Sequence, residues 1–287
     1  MATAAPAYAV NWYPAPGKLN LFLHVLGRRE DGYHLLQTVF RLIERADRVG
    51  IATRADGEIR HAGGDARIRA EDDLCLRAAR LLKDHARDPR LGADIALEKV
   101  LPIGGGLGGG SSDAATVLLV LNRLWDLRLS RAELQLLAVR LGADVPLFIF
   151  GESALGEGIG ERLKRLPLAP AWYLVLVPQV SVSTKEIFSD AALTRDTKPL
   201  KIPPFFAGQG RNDLEAVVTA RYPEVAAHLA WLRQNCPVAR MTGSGACVFA
   251  EFAQEDEARA LQSRLPDTMQ GFVTRSLESH PLHDWTD

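Results

Sequence analysis

The sequence predicts an α+β protein of two domains, and three observations support this fold class. Strand-like patterns dominate the first third of the chain, helical and strand-like patterns alternate in the last third, and residues 151–170 between them are rich in glycine and proline. The length of 287 residues exceeds one average domain, and 47% of the residues are hydrophobic. We therefore expect a first domain at residues 1–160 and a second domain, an α/β sandwich, at residues 161–287.

The first elements are predicted strands. Residues 18–25 alternate between polar and apolar side chains, so we expect the apolar face to pack and the polar face, with Lys18 and Asn20, to look outward. A second strand is predicted at residues 35–43. An Asp-Gly pair within residues 48–60 predicts a hairpin between two further short strands. We expect this region to form a meander.

Helices follow in the middle of the chain. Residues 71–87 carry an apolar stripe at helical spacing, with acidic residues at the start and basic residues towards the end, as the helix dipole prefers. The three-residue spacing between Ser130 and Glu133 predicts a capping box. The elements expected here are a strand at 93–100, helices at 114–127 and from Ser130 to Gly142, and a loop with a buried strand at 143–151.

The last third predicts the smaller α+β sandwich. A loop without regular pattern, from Pro199 to Pro204, interrupts it. The predicted strands lie at 172–177, 247–252 and 271–277, and the predicted helices lie at 212–222, 223–235 and 255–265.

Charge and composition exclude several functional classes. The 34 basic and 35 acidic residues give a net charge of -1, so the chain has no strong overall field to attract nucleic acid or an anionic membrane. The 3 cysteines are far apart and fit reduced thiols better than disulfides. Neither a signal peptide nor a membrane span is evident, so we expect a cytoplasmic protein.

Six glycines in the seven positions 104–110 lie between a predicted strand and a predicted helix. Glycine allows a ligand to approach the backbone closely, and the start of a helix presents free amides, so this arrangement predicts an anion site rather than a linker. The Walker A motif is disfavoured because Ser111 stands where it needs a lysine. The dinucleotide fold is disfavoured because no acidic residue ends the following strand.

Three separated stretches together resemble the GHMP kinases: residues 14–34 with Lys18, the glycine-rich stretch at 102–116, and residues 241–250 with Gly-Ser-Gly. The resemblance implies a first domain like domain 2 of ribosomal protein S5 and a ferredoxin-like second domain. It also implies an ATP-dependent kinase that uses Mg²⁺. The sequence Gly32-Tyr33-His34 is most similar to the members whose acceptor is a cytidine diphosphate alcohol, phosphorylated on its 2-hydroxyl.

The resemblance also implies roles for individual residues. Lys18 and Asp144 would be catalytic, with Asp144 as the general base. Phe188 and Tyr33 would stack on either side of the cytosine. The substrate-binding residues implied are Asn20, Tyr33, His34 and Phe188, and the turn beside the active site is Gly243, Ser244 and Gly245. The residues implied for ATP are Pro102, Ile103, Gly104, Gly105, Gly106, Leu107, Gly108, Gly109, Gly110, Ser111 and Ser112, with Ser111 or Ser112 facing Mg²⁺.

Bland alternatives exist for several of these residues. Without the motif, Lys18 would be an ordinary surface lysine, Asp144 a residue bonding loop amides, and Phe188 a helix core residue. Two other functions also remain open: a GHMP kinase for another small alcohol such as mevalonate or homoserine, and a silent nucleotide-binding protein. The partners expected are ATP and a small-molecule substrate, without nucleic acid or membrane, in a monomer or weak homodimer.

Overall fold

A computed structural model describes residues 10–63, 72–201 and 210–286. These described residues form two sheets, a six-stranded one from the first part of the chain and a four-stranded one from the second. The second of these ranges ends at residue 201, so the rest of the loop predicted from Pro199 to Pro204 lies outside the described residues. Within the described ranges, no helix is long and apolar enough to cross a membrane.

The first sheet is built around one long strand. This strand, β2, runs from His34 to Arg54 and pairs antiparallel with β1, β4 and β5. Its 21 residues form one continuous strand where two separate strands were predicted, and this length lets it reach all three partners. The strand order is β3-β4-β2-β5-β6, with β1 paired to β2. The bounds are β1 Asn11–Arg28, β2 His34–Arg54, β3 Ile59–Gly63, β4 Gly92–Glu98, β5 Ala154–Gly158 and β6 Arg162–Arg165.

Helices pack on this sheet around an apolar core. The core lies around the second of them, α2, whose residues from Ser112 to Asn122 are all buried. The capping box of Ser130 and Glu133 is confirmed, although the helix ends at Ala138 rather than Gly142. The bounds are α1 Leu74–Ala86, α2 Gly109–Leu124, α3 Arg131–Ala138 and α4 Val145–Phe150.

The second sheet has the order β10-β7-β9-β8 and is entirely antiparallel. Its apolar core joins the sheet to the helices of this half, and a separate cluster that includes Phe22 and Val175 joins the two sheets. The predicted helices and strands of this half are confirmed. The bounds are β7 Trp172–Leu176, β8 Arg240–Met241, β9 Val248–Phe252, β10 Gly271–Arg275, α5 Thr184–Ser189, α6 Glu215–Arg221, α7 Pro223–Asn235 and α8 Glu255–Gln262.

The predicted hairpin at the Asp-Gly pair is wrong. β3 does follow a turn after β2, but it pairs in parallel with β4, which lies between them in the sheet. A turn signal fixes the local reversal of the chain and not the strand that pairs beyond it, so the meander expected here does not form.

The buried strand predicted within residues 143–151 is also wrong. The apolar run forms α4, with Pro146 in its first turn and Gly151 in left-handed conformation at its end. A short continuous apolar run fits a buried helix as well as a buried strand, and the proline and glycine at its ends decide for the helix.

The polar face of β1 does not look outward. Lys18 and Asn20 are each 3% exposed, because the second sheet and the glycine-rich loop cover this face. The predicted domain boundary at residue 160 falls in the turn between β5 and β6, which both belong to the first sheet, so that sheet continues to Arg165. The last residues of the chain return to it, since Leu282 lies in its core.

Candidate active site

Lys18 projects from β1 into the junction of the two halves. Its ammonium donates hydrogen bonds to Asn20 Oδ1 at 2.6 Å and to the carbonyl of Gly106 at 2.8 Å. The Asp144 carboxylate lies 3.4 Å away. Three oxygens therefore hold this buried cation, which is how a charge is tolerated in a buried place.

Asn20 holds Lys18 in turn. Its side-chain NH₂ donates to Thr38 Oγ1 at 2.8 Å, and its backbone NH donates to Thr242 Oγ1 at 2.9 Å. Thr38 is on β2 and Thr242 follows β8, so the network ties both sheets to the lysine. The structure gives Asn20 a positioning role toward Lys18, in addition to its place on the wall of the cavity described below.

Asp144 occupies the N-cap position of α4 but makes no capping hydrogen bond with its side chain. The carboxylate is 35% exposed and faces Lys18. The bland alternative, in which this carboxylate only bonds loop amides, does not describe the structure. An accessible carboxylate beside a buried ammonium is suited to accept a proton from a bound hydroxyl.

The glycine-rich loop approaches the opposite wall closely. Gly104, Gly106 and Gly108 have positive φ angles of 71°, 76° and 71°. A Cβ on Gly106 would lie 2.3 Å from the carbonyl oxygen of Thr242, and one on Gly108 would lie 3.0 Å from Lys18 Cε. Glycine is required at both positions for the loop to fit against its neighbours.

The loop leads directly into α2, which begins at Gly109 rather than at residue 114 as predicted. Among the described residues, the amides of Gly109, Gly110 and Ser111 have no backbone acceptor, so they are free for an anion. The Ser112 amide differs, because it donates to the Gly108 carbonyl at 2.9 Å. The contact of Ser112 with ATP stays a prediction, and its amide is not one of the free ones.

The two serines also differ in their side chains. Ser111 lines the cavity. The Ser112 hydroxyl is buried, has no hydrogen-bond partner in the described structure, and is not on the cavity wall. Of the two predicted magnesium-facing residues, the geometry favours Ser111.

A buried cluster of charged side chains lies beside the glycine-rich loop, and it was not predicted from the sequence. Lys99 donates to carboxylate oxygens of Asp47 and of Asp113, the latter at 2.8 Å. Asp47 also accepts from the backbone amide of Leu101 at 2.7 Å. Burial raises the pKa of Asp113 to about 8, and although burial opposes it, the two carboxylates raise the pKa of Lys99. The signal was available, since Lys99 and Asp113 flank the glycine run.

Lys18, Asp144 and the glycine-rich loop line one cavity of about 920 Å³ between the two halves of the chain. This volume lies at the upper end of the usual range for small-ligand sites. The predicted catalytic pair adjoins the glycine loop there, since Lys18 donates to the carbonyl of Gly106. Of the predicted site residues, Ser112 alone is absent from the cavity wall.

Tyr33, His34 and Phe188 also line the cavity. His34 pairs with Arg28, 10 residues along β1 from Lys18, so we call this part the aromatic end of the cavity. Tyr33 is 59% exposed, whereas His34 is buried. The Phe188 ring contacts His34, with ring centroids 5.0 Å apart and an angle of 32° between the planes. A ring contact between Phe188 and Tyr33 is not seen in the described residues, so their stacking on one base stays a prediction.

The turn at Gly243, Ser244 and Gly245 lies on the cavity wall between β8 and β9. Asn212 donates to the Gly243 carbonyl at 2.7 Å, and the hydroxyls of Ser244 and Thr184 are 2.7 Å apart. Elements of the second half thus hold the turn against the glycine loop.

Comparison with known proteins agrees with this geometry. Residues 73–152 match the family described as "GHMP kinases N terminal domain", and residues 202–271 match "GHMP kinases C terminal". A protein of Thiobacillus denitrificans named 4-diphosphocytidyl-2-C-methyl-D-erythritol kinase is 61% identical, over 95% of this chain and 98% of its own length. The chain belongs to this family of GHMP kinases. The family resemblance inferred from the three motifs is confirmed.

Further relatives and solved structures agree with this family assignment. A kinase of the same name from Nitrosospira multiformis is 59% identical, over 96% of this chain and 94% of its own. A crystal structure of 4-(cytidine 5'-diphospho)-2C-methyl-D-erythritol kinase superposes with a TM-score of 0.81 at 33% identity, covering 93% of this chain and 99% of the other. Homoserine kinase from Cytophaga hutchinsonii, at 15% identity and a TM-score of 0.70, covering 98% and 97%, shares the fold. The predicted two-domain GHMP kinase fold is confirmed.

Proposed function

We infer that this protein is a kinase that transfers the γ-phosphoryl group of ATP to the 2-hydroxyl of 4-diphosphocytidyl-2-C-methyl-D-erythritol. This reaction makes the 2-phosphate and ADP in the non-mevalonate route to isoprenoid precursors. The observation that carries it is the position of Lys18 and Asp144, 3.4 Å apart, between the glycine loop and the Tyr33 end of one cavity. The names of the relatives supply the acceptor.

The two ends of the cavity take the two substrates. The free amides at the start of α2 and the positive end of its dipole favour the triphosphate. The aromatic end suits a nucleobase, because rings stack on bases. The accepting hydroxyl and the γ-phosphate then meet at Lys18 and Asp144, which brings the reacting atoms together.

In the reaction, the 2-hydroxyl oxygen forms a bond to the γ-phosphorus while the bond from that phosphorus to the β-γ bridging oxygen breaks. The proton of the hydroxyl passes to Asp144, and ADP leaves with the electron pair of the broken bond. In this proposal the Lys18 ammonium, which is held by Asn20 and the Gly106 carbonyl, stabilises negative charge on the transferred group.

Magnesium fits this site as the companion of ATP. The Ser111 hydroxyl lines the cavity at the start of α2 and is an oxygen ligand of the kind Mg²⁺ prefers. The ion would neutralise phosphate charge during transfer. Ser111 is the residue we propose to hold it, so that Asp144 stays free to accept the proton.

The test couples ADP release to candidate acceptors. We expect turnover with the cytidine diphosphate alcohol and none with mevalonate or homoserine, and the reverse result would contradict the proposal. Asp144→Asn should lower kcat by about 10²–10⁴-fold while ATP affinity changes little, because the amide keeps the shape and loses the base. Asp126→Asn, at an exposed position that pairs only with Arg128 among the described residues, is the matched control.

A near-normal rate for Asp144→Asn would show that Lys18 and positioning suffice for transfer. A monomer or weak homodimer in the cytoplasm stays our prediction, and light scattering on the purified protein measures the first part of it.

A further inference from the structure

Arg195, in the segment after α5, donates hydrogen bonds to two residues of the aromatic end of the cavity, His34 on β2 and Phe188 on α5. Its Nε donates to Nε2 of His34 at 3.1 Å. Its Nη2 donates to the carbonyls of Phe188 at 3.0 Å and Asp190 at 2.6 Å, and its Nη1 donates to the carbonyl of Leu193 at 3.0 Å. One guanidinium therefore links the ring of His34 to the backbone of Phe188.

The contact with Arg195 decides the protonation of His34. A guanidinium offers only donors, so Nε2 of His34 must be the acceptor and cannot carry a hydrogen. The ring is then neutral, with its hydrogen on Nδ1. Burial, with the positive charges of Arg195 and Arg28, lowers the pKa of His34, which favours the same neutral form.

A histidine fixed in this form discriminates between pyrimidine bases. Its Nδ1 is a donor, and cytosine presents acceptors at N3 and O2. Uracil carries a hydrogen on N3, so a donor facing that position leaves two hydrogens opposed. A site built to bond one pattern rejects the other, because a polar group would be left unpaired.

We propose that Arg195 is a positioning residue that sets the preference for a cytosine base by fixing the His34 tautomer and holding Phe188 against the His34 ring. The proposal rests on the function proposed above for this cavity. Arg195 does not line the cavity, so it acts through His34 and Phe188 rather than by touching the substrate.

The experiment compares Arg195→Met and Arg195→Lys with wild type, using the cytidine substrate and its uridine analogue as acceptors. For Arg195→Met we expect KM for the cytidine substrate to rise about tenfold and the preference for cytidine over uridine to fall about tenfold, while KM for ATP stays within twofold. Arg195→Lys should recover part of both effects, since lysine can still donate to His34. Arg128→Met is the control, because Arg128 is exposed and pairs with Asp126.

Nitrogen-15 NMR of His34 gives a readout that does not depend on turnover. Wild type should show the hydrogen on Nδ1, and Arg195→Met should show a mixture of tautomers. A hydrogen on Nε2 in wild type, or equal rises of KM for ATP and for the acceptor with unchanged base preference, would overturn the proposal. Absence of turnover with the cytidine substrate in wild type would instead contradict the proposed function, and the tautomer measurement would still decide the role of Arg195.

Discussion

Two buried lysines lie beside the glycine loop, and at the scale of single residues their partners define the site. Lys18 is held by an amide oxygen, a carbonyl oxygen and one carboxylate, so a single negative charge neutralises it. Lys99 is held by Asp47 and Asp113, so it has two carboxylates for one ammonium. A buried cluster with excess negative charge is costly, and a proton on Asp113 relieves it.

This reasoning predicts how stability depends on pH. The carboxyl of Asp113 has its pKa raised by burial from the ordinary 3.8 to about 8, so the folded state keeps a proton that the unfolded state loses. Its contribution to stability is complete below pH 3.8 and is lost as pH rises towards 8. In Asp113→Asn, which cannot ionise, the stability relative to wild type should increase between pH 5 and 8 and level off above 8.

The increase should be at most about 1.4 kcal/mol for each pH unit, which is the limit when the folded and unfolded states differ by one bound proton. Urea unfolding at several pH values measures it, with Asp126→Asn as the exposed control. A difference between Asp113→Asn and wild type that does not vary with pH would contradict the assignment of the proton to this cluster.

At the scale of elements, the loop before α2 and the turn between β8 and β9 are hydrogen-bonded to each other, and we call this contact the clasp. The amides of Ala246 and Cys247 donate to the carbonyls of Gly104 and Gly105 at 3.2 and 3.1 Å. The loop therefore depends for its shape on the second half of the chain, although it is continuous with a helix of the first. We therefore expect ATP binding to depend on the position of the turn.

Gly106→Ala tests the clasp. The added Cβ would lie 2.3 Å from the Thr242 carbonyl oxygen at a φ of +76°, so the loop must move away from the turn. We expect a loss of about 1–3 kcal/mol in stability from the backbone strain alone, and a rise in the dissociation constant for ATP of at least about tenfold. Calorimetric titration with ATP measures the second effect.

Gly27→Ala is the control for Gly106→Ala, because a Cβ there meets only Leu35 Cδ1 at 3.8 Å and the φ angle is not positive. Equal ATP affinity of Gly106→Ala and wild type would show that the loop does not need the clasp.

At the scale of the whole molecule, the chain crosses between its halves more than once. After β10, the backbone of Leu277 donates to the carbonyl of Leu42, and Leu282 enters the core beneath the first sheet. Trp285 packs edge-on against Tyr13 with ring centroids 5.4 Å apart, and Arg131 donates to the carbonyls of residues 283 and 286. The end of the chain thus secures the half that carries the glycine loop.

The role of this end is measurable with Leu282→Ala. Leu282 is 5% exposed, so its truncation leaves a cavity in the core of the first half and should lower the free energy of unfolding by about 2–5 kcal/mol. Leu136→Ala, on an outer face of α3 where the side chain is 75% exposed, should change it by less than about 0.5 kcal/mol. Equal effects in urea unfolding would mean that the C-terminal segment does not support the core.

The sequence by itself determined the order of most elements, because caps and periodicity are local, and it predicted an anion site at the glycine loop. Its resemblance to the GHMP kinases, carried by three motifs, indicated Lys18 and Asp144, which the structure brings within 3.4 Å. It could not determine that β3 pairs with β4, or that the polar face of β1 is buried, because strand partners and burial depend on segments far apart in the chain. The same holds for Arg195, which lies outside every motif and meets His34 across 161 positions. Only the tertiary structure brings such residues together, since hydrogen bonds and desolvation act over a few ångströms of space whatever the separation in sequence.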